Sequence, residues 1–218
     1  MMNTDPTIQY ICDQLRTKHG CHSAILYGSH ARGDATPASD YDVAGIRESG
    51  ELCRDARLWN GFYLDVFVYS EEKILSPDES MIHMRQGKVL FQRGDLATRF
   101  LLKLNEIFSA GPKRLTSDEV NARAVWARKM LARAGAGDVE GNYRRAWLLT
   151  ALLEDYFLIR GQWFLGPRES LKHFQEIRPD LYSSFDAALK PGAALYLIEA
   201  LVKHVYATND DEISITKC

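Results

Sequence analysis

Along the first 95 residues, apolar positions fall in short blocks that predict one helix followed by several strands. The helix covers residues 5–19, because Ile8, Ile11 and Leu15 recur at helical spacing. The strands are expected where β-branched and aromatic residues cluster between turn signals. They cover residues 23–28, 40–46, 62–69 and, at the end of the sheet, 88–91. This half of the chain therefore predicts a helix and a small mixed sheet.

From about residue 100 onward the apolar positions change to a helical spacing. The predicted helices run from Thr116 to Gly135, over residues 142–160, from Pro167 to about residue 176, and along the stripe Ala194, Ile198, Leu201 and Val205. Short loops between them favour a bundle of about four helices. The fold class is thus α+β, with a mixed-sheet core over residues 1–108, an all-α helical bundle over 109–208 and a flexible polar tail over 209–218.

Composition narrows the class of protein. A hydrophobic fraction of 46% and a charged fraction of 26% are typical of a globular protein. The net charge of −2 gives no overall positive surface, so a nucleic-acid partner is not favoured, although charge can be concentrated locally. No apolar run approaches the roughly 20 residues that span a membrane. The four cysteines show no metal-ligand spacing, which favours a reducing, cytoplasmic location.

Candidate chemistry concentrates in the segment that follows the first predicted strand. Gly28 and Ser29 form a turn in which the backbone could approach a phosphate closely. Asp40 and Asp42 are separated by one residue, so on a strand they would project to the same face about 7 Å apart. Two such carboxylates repel each other unless a cation lies between them, and Mg²⁺ prefers oxygen ligands. The segment predicts a magnesium–nucleoside triphosphate site.

A third carboxylate and an arginine could complete this site. Asp65 is the lone charge in the β-rich run 61–69, and a charge there is costly to bury unless it is paired or bound to metal. The alternative is that Asp65 lies on the solvated face of an edge strand. Arg32 would either brace the triphosphate or pair with a loop aspartate. Three other aspartates are interpreted as loop or cap residues: Asp34, Asp55 and Asp78.

The segment from Gly28 to Asp42 resembles the nucleotidyltransferase superfamily typified by DNA polymerase β, and more narrowly the minimal and antibiotic nucleotidyltransferases. The resemblance implies transfer of a nucleoside monophosphate from a nucleoside triphosphate, ATP by default, to a hydroxyl group, with release of pyrophosphate. It implies a two-metal Mg²⁺ site at Asp40, Asp42 and Asp65, with Asp65 at the metal that activates the attacking hydroxyl. Gly28 and Ser29 would hold the β- and γ-phosphates.

The acceptor is less defined than the donor. The antibiotic nucleotidyltransferases use a helical bundle for part of the acceptor pocket, which implies a small, antibiotic-like acceptor. Two alternatives are adenylylation of a protein or RNA, as in toxin–antitoxin systems, and a catalytically idle nucleotide-binding module. An acidic cleft in the bundle would favour aminoglycosides, and a basic groove would favour RNA. Exposed apolar residues on the bundle would also allow a homodimer.

In some relatives a carboxylate of the helical domain is the general base. Glu154 and Asp155, in the apolar second helix of the bundle, are the candidates, and burial there would raise the pKa of a carboxyl group toward neutrality. The alternative is a carboxylate on the solvated flank of the bundle, or the partner of an arginine among Arg144, Arg145 and Arg160. Lys172, in the short helix after Pro167, is a candidate phosphate contact.

Overall fold

A computed structural model describes residues 5–207, and the chain divides into two compact units between Ala110 and Gly111. The tail predicted at residues 209–218 lies outside the described residues. The combination of a mixed sheet and a set of helices confirms the predicted α+β class. The domain limits at residues 108 and 208 stay predictions.

The first unit contains a five-stranded sheet with helices on both faces. Its helices are α1 (Pro6–Thr17), α2 (Gly28–Arg32), α3 (Glu71–Leu75) and α4 (Leu96–Ala110), with a 3-10 helix over Glu79–Met84. Its strands are β1 (Ser23–Tyr27), β2 (Tyr41–Arg47), β3 (Cys53–Trp59), β4 (Phe62–Ser70) and β5 (Lys88–Phe91). The strand order is β3-β4-β2-β1-β5, in which β2 and β4 are parallel and every other pair is antiparallel. The strand predicted at 88–91 is confirmed at one edge of the sheet.

Strand β3 was not predicted from the sequence. It is joined to β4 by Asn60-Gly61, where both residues have positive φ (47° and 84°), as in a two-residue hairpin turn. Trp59 and Phe62 flank this turn as a register pair. Strand β4, which carries Asp65, is hydrogen-bonded to β3 along one edge and to β2 along the other. It is therefore not an edge strand, and the edge-strand alternative for Asp65 is wrong.

The structure also decides the places of the three aspartates interpreted as loop or cap residues. Asp78 caps the 3-10 helix, since its side chain accepts a hydrogen bond from the Ser80 backbone N–H. Asp34 follows α2 outside any strand, as predicted. The prediction for Asp55 is wrong because that residue lies on β3, where it pairs with Lys18 at 3.4 Å.

Alternation along β2 and β4 gives the sheet two buried faces. On one face, Ile11 of α1 packs in a cluster with Val43 and Leu64. On the other face, Ala44 packs in a cluster with Phe100 of α4. Residues two apart on a strand share a face, so the Asp42 side chain lies on the Ala44 side of the sheet.

The second unit consists of helices. They are α5 (Ser117–Ala134), α6 (Val139–Ile159), α7 (Pro167–Ile177), α8 (Pro179–Leu189) and α9 (Leu195–Tyr206). The described residues of this unit therefore hold five helices, where about four were predicted. The missed helix is α8, which follows α7 after the single residue Arg178 and begins with Pro179. Its buried positions Leu181, Phe185 and Ala188 have helical spacing.

The bundle core and helix starts follow from ordinary sequence signals. Thr116 and Glu119 form a reciprocal capping box at the start of α5. Leu148 and Leu152 of α6 are fully buried and pack with Phe174 of α7. Within residues 5–207, no helix combines the length and the apolar character that crossing a membrane requires.

Candidate active site

The turn between β1 and α2 lies directly against a carboxylate. Gly28 begins α2 with φ +67°, a conformation that favours glycine. Tyr27, the last residue of β1, is the register partner of Asp42 on β2. A Cβ atom at position 28 would overlap the Oδ2 atom of Asp42. Glycine at this position therefore allows both the turn and the close approach of the carboxylate to its backbone.

Like charges surround Asp42. Asp65 is its register partner in the parallel β2–β4 pair, and Asp40 is exposed immediately before β2. Burial, and then the charges of Asp40 and Asp65, raise the pKa of the Asp42 carboxyl to about 7. The charge of Arg32 opposes this shift without cancelling it. The site thus has an excess of negative charge that a cation would neutralise.

Arg54 of β3 holds the carboxylate of Asp65. Its Nε donates to Oδ1 at 2.7 Å and its Nη2 donates to Oδ2 at 2.8 Å, which is a bidentate pair. The guanidinium carbon also lies 5.0 Å from the centroid of the Phe67 ring. Arg54 was not among the predicted site residues, because β3 itself was missed. The Asn60-Gly61 hairpin signal would have placed Arg54 diagonally opposite Asp65.

The three aspartates have the oxygen donors that a divalent cation prefers, but their side chains are not arranged around one metal position. Among residues 5–207, no three or more His, Cys, Asp and Glu side chains are arranged to hold one metal ion. Asp65 is engaged by Arg54, and Asp40 lies just outside the strand that would have fixed it. Carboxylate oxygens are nonetheless the ligands that Mg²⁺ prefers, and Asp42 carries the uncompensated charge. The donor set therefore fits, while the two-metal arrangement stays a prediction.

Ser29 and Arg32 stay candidates for contacts to phosphate. Ser29 is buried, and its carbonyl accepts hydrogen bonds from the N–H groups of Gly33 (2.9 Å) and Asp34 (3.1 Å). No side chain in the described part of the chain caps the first turn of α2. Arg32 Nε lies 3.5 Å from Asp34 Oδ1, which is the loop-aspartate pairing considered above. The positive charge of Arg32 also opposes the rise in the pKa of Asp42, so Arg32 interacts electrostatically with the aspartates of the site as well.

The candidates in the helical unit have different surroundings from those expected. Glu154 is exposed, so the expectation of burial holds for its neighbour Asp155 and is wrong for Glu154. Consecutive helix residues point about 100° apart, which places one on the surface and one in the core. Asp155 pairs there with Arg123 and Tyr206. Lys172 is exposed on α7. The roles of Glu154 as a base and Lys172 as a phosphate contact stay predictions.

Comparisons with known proteins relate the first unit to a family of domains and most of the chain to a solved structure. No curated protein matches the chain. One similar solved structure is a nucleotidyltransferase-like protein from Exiguobacterium sibiricum, which is 14% identical over 91% of this chain and 74% of that chain, with a TM-score of 0.45. Residues 8–93 match the family model of the nucleotidyltransferase domain, a range that contains the whole sheet and all three aspartates. The match to a family of transferase domains agrees, for residues 8–93, with the predicted resemblance to nucleotidyltransferases.

Proposed function

We propose that the protein is a Mg²⁺-dependent enzyme that transfers a nucleoside monophosphate from a nucleoside triphosphate to a hydroxyl group of a small molecule, with release of pyrophosphate. The observation that carries the proposal is the Asp42 carboxylate. It lies against the backbone of Gly28, opposite Asp65, and its pKa is raised to about 7 by burial and by the neighbouring carboxylates. Such an arrangement suits a cation and a phosphate chain at the same place.

Asp40 and Asp42 would hold the divalent cation. When bound there, the cation would neutralise charge on the triphosphate and on the departing pyrophosphate. The contribution of the protein is position, because Asp42 is fixed on a central strand between β1 and β4. Asp40, at the exposed end of the same segment, can adjust to the ligand.

Asp65 would act on the acceptor. Its place beside Asp42 on the parallel strand suits a carboxylate that orients the attacking hydroxyl and favours loss of its proton. The bidentate contact from Arg54 fixes the plane of this carboxylate before the substrates bind. The contact from Arg54 uses one lone pair on each oxygen of Asp65, so the second lone pairs would remain for a metal ion.

The turn at Gly28 and Ser29 would hold the β- and γ-phosphates. The left-handed φ of Gly28 and the uncapped first turn of α2, among the described residues, support backbone donors directed at an anion. Arg32 adds a positive charge nearby. A fused helical unit supports a self-contained site for a small acceptor, with ATP as the default donor.

Calorimetry with each nucleoside triphosphate and Mg²⁺ tests the donor site. We expect wild type to bind at least one triphosphate and a double variant, Asp40→Asn with Asp42→Asn, to lose this binding. Asp55→Asn is the matched control, because it makes the same chemical change on β3 but on the opposite face from Arg54. Binding that survives in the double variant, or no binding by wild type, would contradict the proposal.

The acceptor is tested by transfer of label from an α-³²P-labelled triphosphate. Purified enzyme is incubated with pooled hydroxyl-bearing small molecules, with total RNA, and with total protein. Label in the small-molecule fraction supports the proposed acceptor. Label that appears only in RNA or protein would instead support the macromolecular alternative.

A further inference from the structure

We propose that the helical unit binds a small amphipathic anion, an apolar molecule with a single anionic group, in a cavity between α6, α7 and the end of α8. The inference rests on the residues of this unit alone and does not depend on the proposed function. It concerns binding only and assigns no reaction to the cavity.

The cavity has the size and walls of a small-molecule site. Its volume is about 580 Å³, inside the range of about 300–1,000 Å³ that is usual for ligand pockets. One wall is a stripe of α6 residues at helical spacing: Asn142, Arg145, Ala146, Leu149, Thr150 and Leu153. Pro167 and Leu171 of α7 and Phe185 of α8 contribute further apolar surface.

The floor of the cavity belongs to the core of the bundle. Leu149 and Leu153 are each 7% exposed and Phe185 is 1% exposed, and all three belong to the main hydrophobic cluster of the unit. Their positions are fixed by this packing, so the cavity does not need to be formed by the ligand. An apolar body placed against them would lose its contact with water, which favours binding.

The charge of the cavity comes from Arg145. None of the described residues that line it is acidic, whereas Arg145 and Lys190 both do so. Lys190 is paired with Asp186 at 3.0 Å. By contrast, Arg145 Nη2 is buried with no hydrogen-bond partner among residues 5–207. Arg145 is half-buried, lines the cavity and forms no ion pair among these residues, so an anionic oxygen in the cavity would compensate its charge.

The placement of charge and apolar surface gives the ligand a direction. Arg145 and Leu153 are eight residues apart on α6, which corresponds to about 12 Å along the helix axis. An anionic head at Arg145 would therefore leave an apolar body of about that length over Leu149 and Leu153. A polycation such as an aminoglycoside has the opposite charge and little apolar surface, so this cavity does not suit it.

Titration calorimetry with two probes of equal tail and opposite charge tests the proposal. The probes are decanoate and decyltrimethylammonium, used below the concentrations at which they form micelles. We expect wild type to bind decanoate at least ten times more tightly. Equal affinities would show an apolar groove without the anion preference, and no binding of decanoate would show no site, so either result overturns the proposal.

Two variants locate the binding. Arg145→Met keeps much of the apolar stem of the side chain and should remove the preference for decanoate. Arg144→Met is its matched control, because Arg144 pairs with Glu140 and does not line the cavity. Thr150→Trp changes an exposed lining residue, so it should block both probes without disturbing the core. Circular dichroism checks that each variant is folded; an unchanged preference in folded Arg145→Met overturns the proposal.

Discussion

Asp155 in the helical unit is buried and Asp42 in the sheet is half-buried, and the surroundings of these two aspartates are opposite in charge. Asp155 of the helical unit is 2% exposed and is contacted by Arg123 and Tyr206. Asp42 of the sheet is less buried, yet other carboxylates are its main charged neighbours, and its pKa is raised to about 7. A buried carboxylate that is paired with an arginine and a hydroxyl, such as Asp155, is a structural feature of the fold. A carboxylate whose main charged neighbours are other carboxylates, such as Asp42, indicates a site that binds a cation.

The partners of Asp155 come from different helices. Arg123 lies on α5 and Tyr206 on α9, so one carboxylate of α6 links three helices of the bundle. Burial, and then the hydrogen bond to Asp155, raises the pKa of the Tyr206 phenol. The phenol therefore keeps its proton and donates a hydrogen bond to the carboxylate. This is a structural network, and it argues against Asp155 as a general base.

The largest effect is expected when the charge of Asp42 is removed. Asp42→Asn should lower nucleotidyl transfer about 1,000-fold, because a metal-ion contribution of several kcal/mol would be lost. Pyrophosphate release, with the acceptor identified by label transfer, is the measurement. Folded Asp155→Asn should stay within about threefold of wild type. If both variants lost activity equally, the functional contrast between the two aspartates would fail.

Removing Asp155 should instead affect stability. Asp155→Ala leaves the guanidinium of Arg123 and the hydroxyl of Tyr206 without their shared acceptor, and should lower the free energy of unfolding by about 3 kcal/mol. Urea unfolding followed by tryptophan fluorescence measures this change. Glu154→Ala is the adjacent control on the exposed side of α6 and should change stability by less than about 0.5 kcal/mol. Equal effects of the two substitutions would show that the buried network contributes little.

Gly28→Ala tests the contact between the turn and Asp42. The added Cβ would push the carboxylate away, and a displacement of this size should lower transfer about 100-fold. Gly33→Ala is a matched control, because φ at Gly33 is +87° but no atom lies within 4 Å of its Cβ position. Both variants share the cost of a left-handed alanine, so a loss of activity confined to Gly28→Ala isolates the contact. Similar losses in both would attribute the effect to backbone strain.

The contrast also explains what the sequence could and could not predict. Gly28, Asp40 and Asp42 belong to one short local pattern, so their association is visible in the printed sequence. The partners of Asp155, by comparison, are 32 and 51 residues away, and only the packing of the helices brings them to it. For the same reason the sequence could not show which of Glu154 and Asp155 is the buried carboxylate.

The errors in secondary structure have a different cause, because the missed elements carry local signals. The helices with clear stripes and caps were predicted, whereas β3 and α8 were missed although each carries a local signal. The Asn60-Gly61 pair indicates the hairpin, and the spacing of Leu181 and Phe185 indicates the helix. Neither segment was included in a neighbouring element, because the predicted strand began at residue 62 and the predicted helix ended at about residue 176. Missing β3 also hid Arg54, the partner of Asp65.

The pH dependence of stability offers a test that needs no substrate. In the folded protein the pKa of Asp42 is raised to about 7, so the folded state keeps a proton that the unfolded state releases near pH 4. Wild type should therefore lose stability relative to Asp42→Asn as the pH rises from about 4 to 7, and the difference should then level off. We expect about 2 kcal/mol, since solvent screens part of the repulsion.

Urea unfolding in EDTA at several pH values measures this difference. EDTA removes divalent cations that would otherwise bind the carboxylates and hide the effect. Added Mg²⁺ at pH 8 should stabilise wild type and leave Asp42→Asn unchanged. A constant difference between the two proteins across the pH range would show that Asp42 is not held in an excess of negative charge.

The smallest expected effect concerns the arginine that holds Asp65. Arg54→Lys keeps the positive charge but cannot make the bidentate contact, so Asp65 would be less well oriented. We expect kcat to fall about tenfold, as is usual when the support of a metal- or substrate-binding group is weakened. The KM for the triphosphate should change little, because Arg54 is assigned no contact with it.

Arg57→Lys is the control for this substitution. Arg57 is on the same strand, but it lies 3.6 Å from Asp55 on the opposite face of the sheet. A fall in kcat that is specific to Arg54→Lys would show that the Arg54–Asp65 ion pair has a role in catalysis. The pair would orient the Asp65 carboxylate without neutralising the charge of all three aspartates. If the two variants behaved alike, the Arg54–Asp65 pair would belong with Arg123–Asp155 as a purely structural contact. The distinction between the two units would then rest on Asp42 alone.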